Sequence, residues 1–316
     1  MITETIHDNE TIFSVAPEVW GRKDTFVNFY MIRGEGETWV LVDAGLKWSK
    51  KKIKTMAADL FGEGNKPAAI ILTHGHFDHV GALEALVKEW DVPVYAHELE
   101  LPYLKGQSSY PPADSSVGGG MMAEMSFMYP TGPIDLGDRV HKLPADGSIP
   151  HLKGWKYIET PGHSPGHISL FREHDRVLIA GDAFVTTKAE SAFYALTAKE
   201  QLSGPPKYFT CDWASAKFSL YRLVGLHPEI VATGHGMPMA GTEMKEQLET
   251  LATHFEELAQ PRHGRYVNEP AVANQYGVAS WPAKQQIIPD LLKIAAATAL
   301  VFAGSIYLYR RFNNRE

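Results

Sequence analysis

The sequence predicts a layered α/β fold. Three observations carry that expectation: two β-rich blocks each give way to helical periodicity, one continuous apolar run reads as a strand buried on both faces, and 44% apolar with 21% charged residues over 316 positions is the balance of a folded globular chain. Length alone suggests about two domains of roughly 150 residues, with a single larger α/β domain equally admissible.

The first block opens with strand-like runs at Thr25 to Arg33 and Trp39 to Val42, joined as a hairpin through Gly34-Glu35-Gly36. A Lys-rich helix spans Ser49 to Leu60, and Pro67 to Thr73 is the buried apolar strand. A helix over Val80 to Glu89, a short strand over Val92 to Ala96 and an irregular stretch from Lys105 to Pro133 follow. The second block places strands at Arg139 to Leu143, Trp155 to Thr160, His167 to Phe171 and Arg176 to Ala180, then a loop-rich segment from Phe184 to Thr210. Asp212 is a suitable N-cap for a helix with Trp213, Ala216, Leu220 and Leu223 on one face, and Glu229 to Thr233 is the next strand. Met244, Leu248, Leu251, Phe255 and Leu258 recur at helical spacing and define an amphipathic helix. Beyond Ala259 the chain reads as extended to Pro282, wrapped on the body or loosely tethered.

Composition narrows the chemistry. The single Cys211 against fourteen His excludes an intrachain disulfide framework, an all-cysteine zinc site and a cysteine-ligated iron–sulfur cluster, so a metal must sit mainly on His and carboxylates. A net charge of −7 without a basic cluster in the body argues against nucleic acid as a partner. The opening residues have neither a basic n-region nor an apolar h-region, so the expectation is a cytoplasmic catalytic domain.

Directly after the buried strand stands Thr73-His74-Gly75-His76-Phe77-Asp78-His79, an HxHxDH string. His74 and His76, two apart at a strand end, can point the same way, while Asp78 and His79 can turn toward a neighbouring point. The pattern suits two metal positions, one all-nitrogen and one mixed, with zinc first and Fe(II) or Mn(II) as alternatives. Thr160-Pro161-Gly162-His163, Ala180-Gly181-Asp182 and Thr233-Gly234-His235 repeat one local form, an apolar strand ending in Gly beside a possible ligand.

This order of residues resembles that of the metallo-β-lactamase-fold hydrolase superfamily over about residues 10 to 260. The resemblance implies a four-layer αββα sandwich, with His74, His76 and His163 holding one metal, Asp78, His79 and His235 the other, and Asp182 bridging them. Asp78 and Asp182 would then also be catalytic, and a hydroxide shared by the metals would be the nucleophile. Asp43, at another strand end, is open between partnering a ligating His and capping a turn. His167 reads as the start of a strand, and His97, His141, His151 and His254 as surface or structural residues. The bridging Asp182 argues against a true β-lactamase, and His76 against the flavodiiron reductases. The Thr160 to His167 string is similar to that of acyl-homoserine lactonases, in which a Tyr after the bridging Asp holds the substrate carbonyl. Tyr194 is the first candidate here and Tyr208 the second, though the spacing differs.

No G-x-S-x-G elbow, Walker A loop or dinucleotide fingerprint competes with this reading. The expected reaction is metal-dependent hydrolysis of an ester, lactone or thioester in a small-molecule substrate. The alternatives are a phosphodiesterase and a mononuclear iron oxidoreductase of the persulfide dioxygenase type. The Met-rich stretch Gly118 to Tyr129 and the segment Phe184 to Thr210 are the candidate substrate loops.

The domain reading is a catalytic domain over 1–260, an extended linker over 261–290, a transmembrane helix over 291–309 and a basic tail over 310–316. Ile294 to Tyr309 is free of charge, and with Leu291, Leu292 and a snorkelling Lys293 a helix there would span about 28 Å against roughly 30 Å of bilayer core. The expectation is an additional C-terminal hydrophobic helix that anchors the chain to a membrane, with an apolar helix covering the domain or a homodimer partner as the alternative.

Overall fold

The computed structural model describes residues 12–197 and 200–284. The strands are β1 (Ile12–Ala16), β2 (Val19–Asp24), β3 (Val27–Arg33), β4 (Trp39–Val42), β5 (Ala69–Ile71), β6 (Val94–Ala96), β7 (Val140–Lys142), β8 (Ser148–Ile149), β9 (Leu152–Glu159), β10 (Ile168–Arg172), β11 (Val177–Ile179), β12 (Ile230–Ala232), β13 (Met239–Ala240), β14 (Val272–Asn274) and β15 (Gly277–Ser280). The helices are α1 (Lys50–Phe61), α2 (Leu83–Trp90), α3 (Leu101–Leu104), α4 (Met121–Glu124), α5 (Ala192–Thr197), α6 (Trp213–Gly225), α7 (Gly241–Thr253) and α8 (Phe255–Leu258).

Strands β1 to β7 form one mixed sheet in sequence order, and a second runs β13-β12-β11-β10-β9-β8. Side chains alternate across the strands, so each sheet feeds two cores. Tyr30, Ile32, Val40, Val42 and Ile71 meet Ile168, Leu170, Val177 and Ile179 between the sheets. On the outer face of the first sheet, Met31, Leu41 and Ile70 pack against Ile53 and Met56 of α1 and Leu86 and Trp90 of α2. On the outer face of the second, Leu178 and Val231 pack against Trp213 and Leu220 of α6 and Leu248 and Leu251 of α7. The order of layers is helix, sheet, sheet, helix.

The predicted Asp212 cap is present: its Oδ1 accepts from the Ser215 N–H at 3.0 Å. The amphipathic run from Met244 to Leu258 is two helices, broken at His254, whose ψ of 36° leaves the helical range. Phe255 and Met244 still share one core, which is why the periodicity runs through the break. The stretch after Ala259 lies on the body: the buried Tyr266 donates its hydroxyl to Pro112 O at 2.6 Å, Ala271 N–H to Cys211 O at 2.9 Å, and β14 and β15 form a hairpin. The predicted membrane helix over 291–309 falls outside the described residues. Among the described residues no helix is long and apolar enough to cross a membrane.

Candidate metal centre

Every predicted ligand stands just past a strand. The His74 to His79 string follows β5, His163 follows β9, Asp182 follows β11 and His235 follows β12. The string turns on itself through His79 N–H and Val80 N–H to His76 O, at 2.9 and 3.1 Å. Gly181 has φ of +55°, the left-handed turn that the Ala180-Gly181-Asp182 pattern predicts. Gly234 is required for a different reason: a Cβ there would lie 2.0 Å from Asp182 Oδ1 and 2.8 Å from His79 Cε1.

All seven predicted ligands converge. Donor atoms lie within 4.8 Å of one another in three groups: His74, His76 and His163; His74, His79 and Asp182; and Asp78, His79 and His235. None of the seven is more than 5% exposed, so polar atoms without partners here carry a full desolvation cost.

The surrounding hydrogen bonds set the histidine tautomers. Thr73 Oγ1 donates to Asp43 Oδ2 at 2.8 Å, so its contact with His74 Nδ1 at 3.1 Å must be accepted from that nitrogen. Thr210 Oγ1 donates to Pro206 O at 2.8 Å and accepts from His163 Nδ1 at 3.3 Å. His79 Nδ1 donates to Asp43 Oδ2 at 2.9 Å, and His235 Nδ1 to Phe26 O at 2.7 Å. Four histidines therefore carry a proton on Nδ1 and turn Nε2 inward, and His235 Nε2 also meets Asp182 Oδ2 at 3.1 Å. His76 is the exception, presenting Nδ1 to His163 Nε2 at 2.9 Å. Among the described residues, His74 Nε2, His79 Nε2 and Asp182 Oδ1 are buried without a hydrogen-bond partner. Unpartnered nitrogen and carboxylate donors converging in this way fit divalent metal ions.

The family model described as "Metallo-beta-lactamase superfamily" matches residues 22–235. The chain belongs to the metallo-beta-lactamase superfamily. "Probable metallo-hydrolase YflN" of Bacillus subtilis (strain 168) is 46% identical over 245 residues, 77% of this chain and 93% of the relative. "Probable metallo-hydrolase YybB" of the same organism is 30% identical over 203 residues, 64% of this chain and 77% of the relative. The crystal structure of a beta-lactamase domain protein from Burkholderia ambifaria shares the fold, with a TM-score of 0.54 at 21% identity, covering 80% of this chain and 79% of that one. The protein is thus a metallo-hydrolase of this superfamily, with a His and Asp cluster of the kind that binds divalent metals.

Electrostatically the superfamily site has two halves. Burial, and then the neighbouring histidines, hold His74 and His76 well below the ordinary histidine pKa, and burial pushes His163 down to about 3. These three are neutral and ready to donate lone pairs. For His79 and His235 burial acts in the same direction, but Asp182 outweighs it, with Asp43 and Asp78 helping at His79, and both are raised. Burial alone would raise Asp182, yet His235 and His79 hold it well below the usual carboxylate range. Filling the second half therefore releases protons, and filling the first does not.

Several residues outside the predicted ligands serve the site. Asp43, left open by the sequence, is the partner of His79 and takes the Thr73 N–H at 2.8 Å as well. His167 stands one residue before β10, which starts at Ile168 and not at His167 as the sequence suggests, and its Nε2 accepts from the Asp182 N–H at 2.8 Å. Thr210, Tyr110 and Glu100 have no local signature, because their contacts join residues distant in sequence. Tyr194 lies on α5, with its ring 5.8 Å from Phe193 and 5.0 Å from the Lys188 ammonium. Tyr208 is the tyrosine raised by burial and by Asp78, Glu190 and Asp182 together. Cys211 is buried and its thiol is pushed up to about 12 by burial, so it is not a nucleophile.

Proposed function

We propose that this protein cleaves a small ester, lactone or thioester with an apolar acyl group, using divalent metal ions held by His74, His76 and His163 on one side, Asp78, His79 and His235 on the other, and Asp182 between them. The observation that carries the acyl preference is the wall beside these donors. Phe77, Tyr129, Tyr208 and Phe209 form one apolar cluster with Val117, Met122 and Ala123. Phe209 stacks on His76 with ring centroids 4.4 Å apart. The wall continues into the Met-rich stretch, where Met121, Phe127 and Met128 are all more than half exposed. Such a surface suits variable apolar groups.

Bound divalent ions supply Lewis acidity and an activated water at neutral pH. The chain's own residues orient the donors, exclude water on the aromatic side and hold the protons of the histidine Nδ1 atoms outward. Tyr208, whose ring packs in the aromatic wall 5.2 Å from that of Phe209, is our first candidate for the phenol that donates to a substrate oxygen. Tyr194 is the second candidate for that role. A thioester is the first substrate to try, because a "Hydroxyacylglutathione hydrolase" of Erwinia tasmaniensis is 32% identical over 136 residues, 43% of this chain and 40% of that protein.

The test is a panel of thioesters, lactones, esters and phosphodiesters of graded acyl length, assayed with metal-replete protein and Asp182→Ala. Hydrolysis of an acyl substrate that falls by about two orders of magnitude or more in Asp182→Ala supports the reading. Turnover unchanged in that variant contradicts it. Phosphodiester cleavage alone, or oxygen consumption with one iron per chain, would favour the corresponding alternative.

A further inference from the structure

Glu100 is charged by type, fully buried and outside the ligand set. It lies in the turn between β6 and α3. Both of its oxygens face the loops that carry ligands. Oε2 accepts from the Gly75 N–H at 3.0 Å, between His74 and His76, and from the Tyr110 hydroxyl. Oε1 accepts from Ser164 Oγ at 2.8 Å and from the Gly166 N–H at 2.7 Å, just past His163. Tyr110 adds a second handle: its hydroxyl also accepts from the Gly75 N–H at 2.9 Å, and its ring lies 4.6 Å from that of His76.

We propose that Glu100 is a positioning residue for the all-histidine metal position, a latch that holds the loop bearing His74 and His76 in register with the loop bearing His163. The two loops are almost ninety residues apart in the chain, and their ligands point at one place from different sheets. A single carboxylate that takes one backbone N–H from each loop fixes their separation. Carboxylate acceptors are the strong form of such bonds, and residues that orient ligands typically set metal affinity by about 10- to 100-fold. Asp43 differs in reach: it holds His79 of the mixed position directly and His74 of the all-histidine position through Thr73, whereas the bonds of Glu100 go only to the loops of the all-histidine position. The inference rests on the ligand assignment proposed above and adds a role for a residue that touches no metal.

The experiment measures metal affinity rather than turnover. Metal-free full-length protein, Glu100→Gln and Asp43→Asn are titrated with zinc against a chromophoric chelator, and with cobalt(II) so that absorption bands distinguish the all-nitrogen from the mixed position. Glu100→Gln keeps the volume but sets an amide N–H group against two of the donors. The expected result for Glu100→Gln is a 10- to 100-fold loss at the all-histidine position with less than about threefold change at the mixed one, whereas Asp43→Asn, which touches His79 directly and His74 through Thr73, weakens both. Ser164→Ala and Tyr110→Phe each remove one bond to the latch, should weaken the same position by smaller factors, and decide the matter if Glu100→Gln does not fold. Equal loss at both positions in Glu100→Gln, or parental affinity in Ser164→Ala, Tyr110→Phe and any folded Glu100→Gln, would overturn the proposal. A parent protein that binds no metal would overturn the ligand assignment itself.

Discussion

Gly234 and His167 show how closely the bridging Asp182 is fitted. A methyl group at Gly234 would occupy the space of Asp182 Oδ1, so Gly234→Ala should displace the carboxylate and lower kcat/KM by about two orders of magnitude, with metal loading reduced in parallel by elemental analysis. A variant with parental loading and turnover would contradict the placement of Asp182. His167 accepts the Asp182 N–H while burial lowers its pKa from 6.5 to about 4. The unfolded chain protonates this ring on passing below about pH 6.5 and the folded protein does not until about pH 4, so the residue's contribution is present above that window and is lost as pH falls through it. Replacement by Gln, which can keep the acceptor, should flatten the acid side of the stability curve of the metal-free protein by about 1.4 kcal/mol per pH unit in that window. Denaturant unfolding at pH 7 and pH 5 checks it, and parallel curves for parent and variant would count against a neutral buried His167. At this scale the ligands were legible because HxHxDH is compact and each later ligand follows a Gly. Glu100, Tyr110 and Thr210 were not, since the residues they touch in the ligand-bearing loops lie 25 to 66 residues away in sequence.

Among the elements, β5 and β11, which lead into the centre, are buried on both faces as their continuous apolar runs predict, and the ends of the elements are where sequence and structure part. The predicted strand to Thr73 stops its ladder at Ile71 because the Thr73 N–H turns to Asp43 in place of a neighbouring strand. The predicted helix from Val80 starts at Leu83 because the preceding residues form the turn that aims Asp78 and His79. β1 and β2 escaped a sequence reading: Glu18 turns with φ of +64°, and Gly21, Arg22, Lys23 and Asp24 interrupt the apolar pattern. The aromatic wall belongs to this scale too. Tyr129 bridges it, its ring 5.4 Å from Phe77, 5.7 Å from Tyr208 and 6.1 Å from Phe209. Tyr129→Ala should raise KM in proportion to acyl chain length, by up to about tenfold for the longest chains, and leave short acyl substrates nearly unaffected. Steady-state kinetics over a homologous series decides it, and a uniform change at every length would place the acyl group elsewhere.

For the whole molecule, the four layers bring ligands from both sheets to one edge, and direct bonds hold that edge together. Ile168 N–H donates to Thr73 O at 3.0 Å and Asn28 N–H to Gly234 O at 2.7 Å, each joining one sheet to the other beside the ligands. The layered class was legible in the sequence from two β-rich blocks with helices after each. The number of strands was not, because short edge strands such as β8 and β13 bury too few residues to leave a pattern. Metal should contribute to the stability of this assembly, since bare donors from both sheets meet in it. The most direct test of the central claim is the metal content of the purified full-length protein, read with acyl-substrate hydrolysis before and after chelation. The account predicts about two divalent ions per chain, hydrolysis lost on chelation and restored by zinc, and a lower melting temperature without metal. Hydrolysis that persists in protein shown to be free of metal would contradict it.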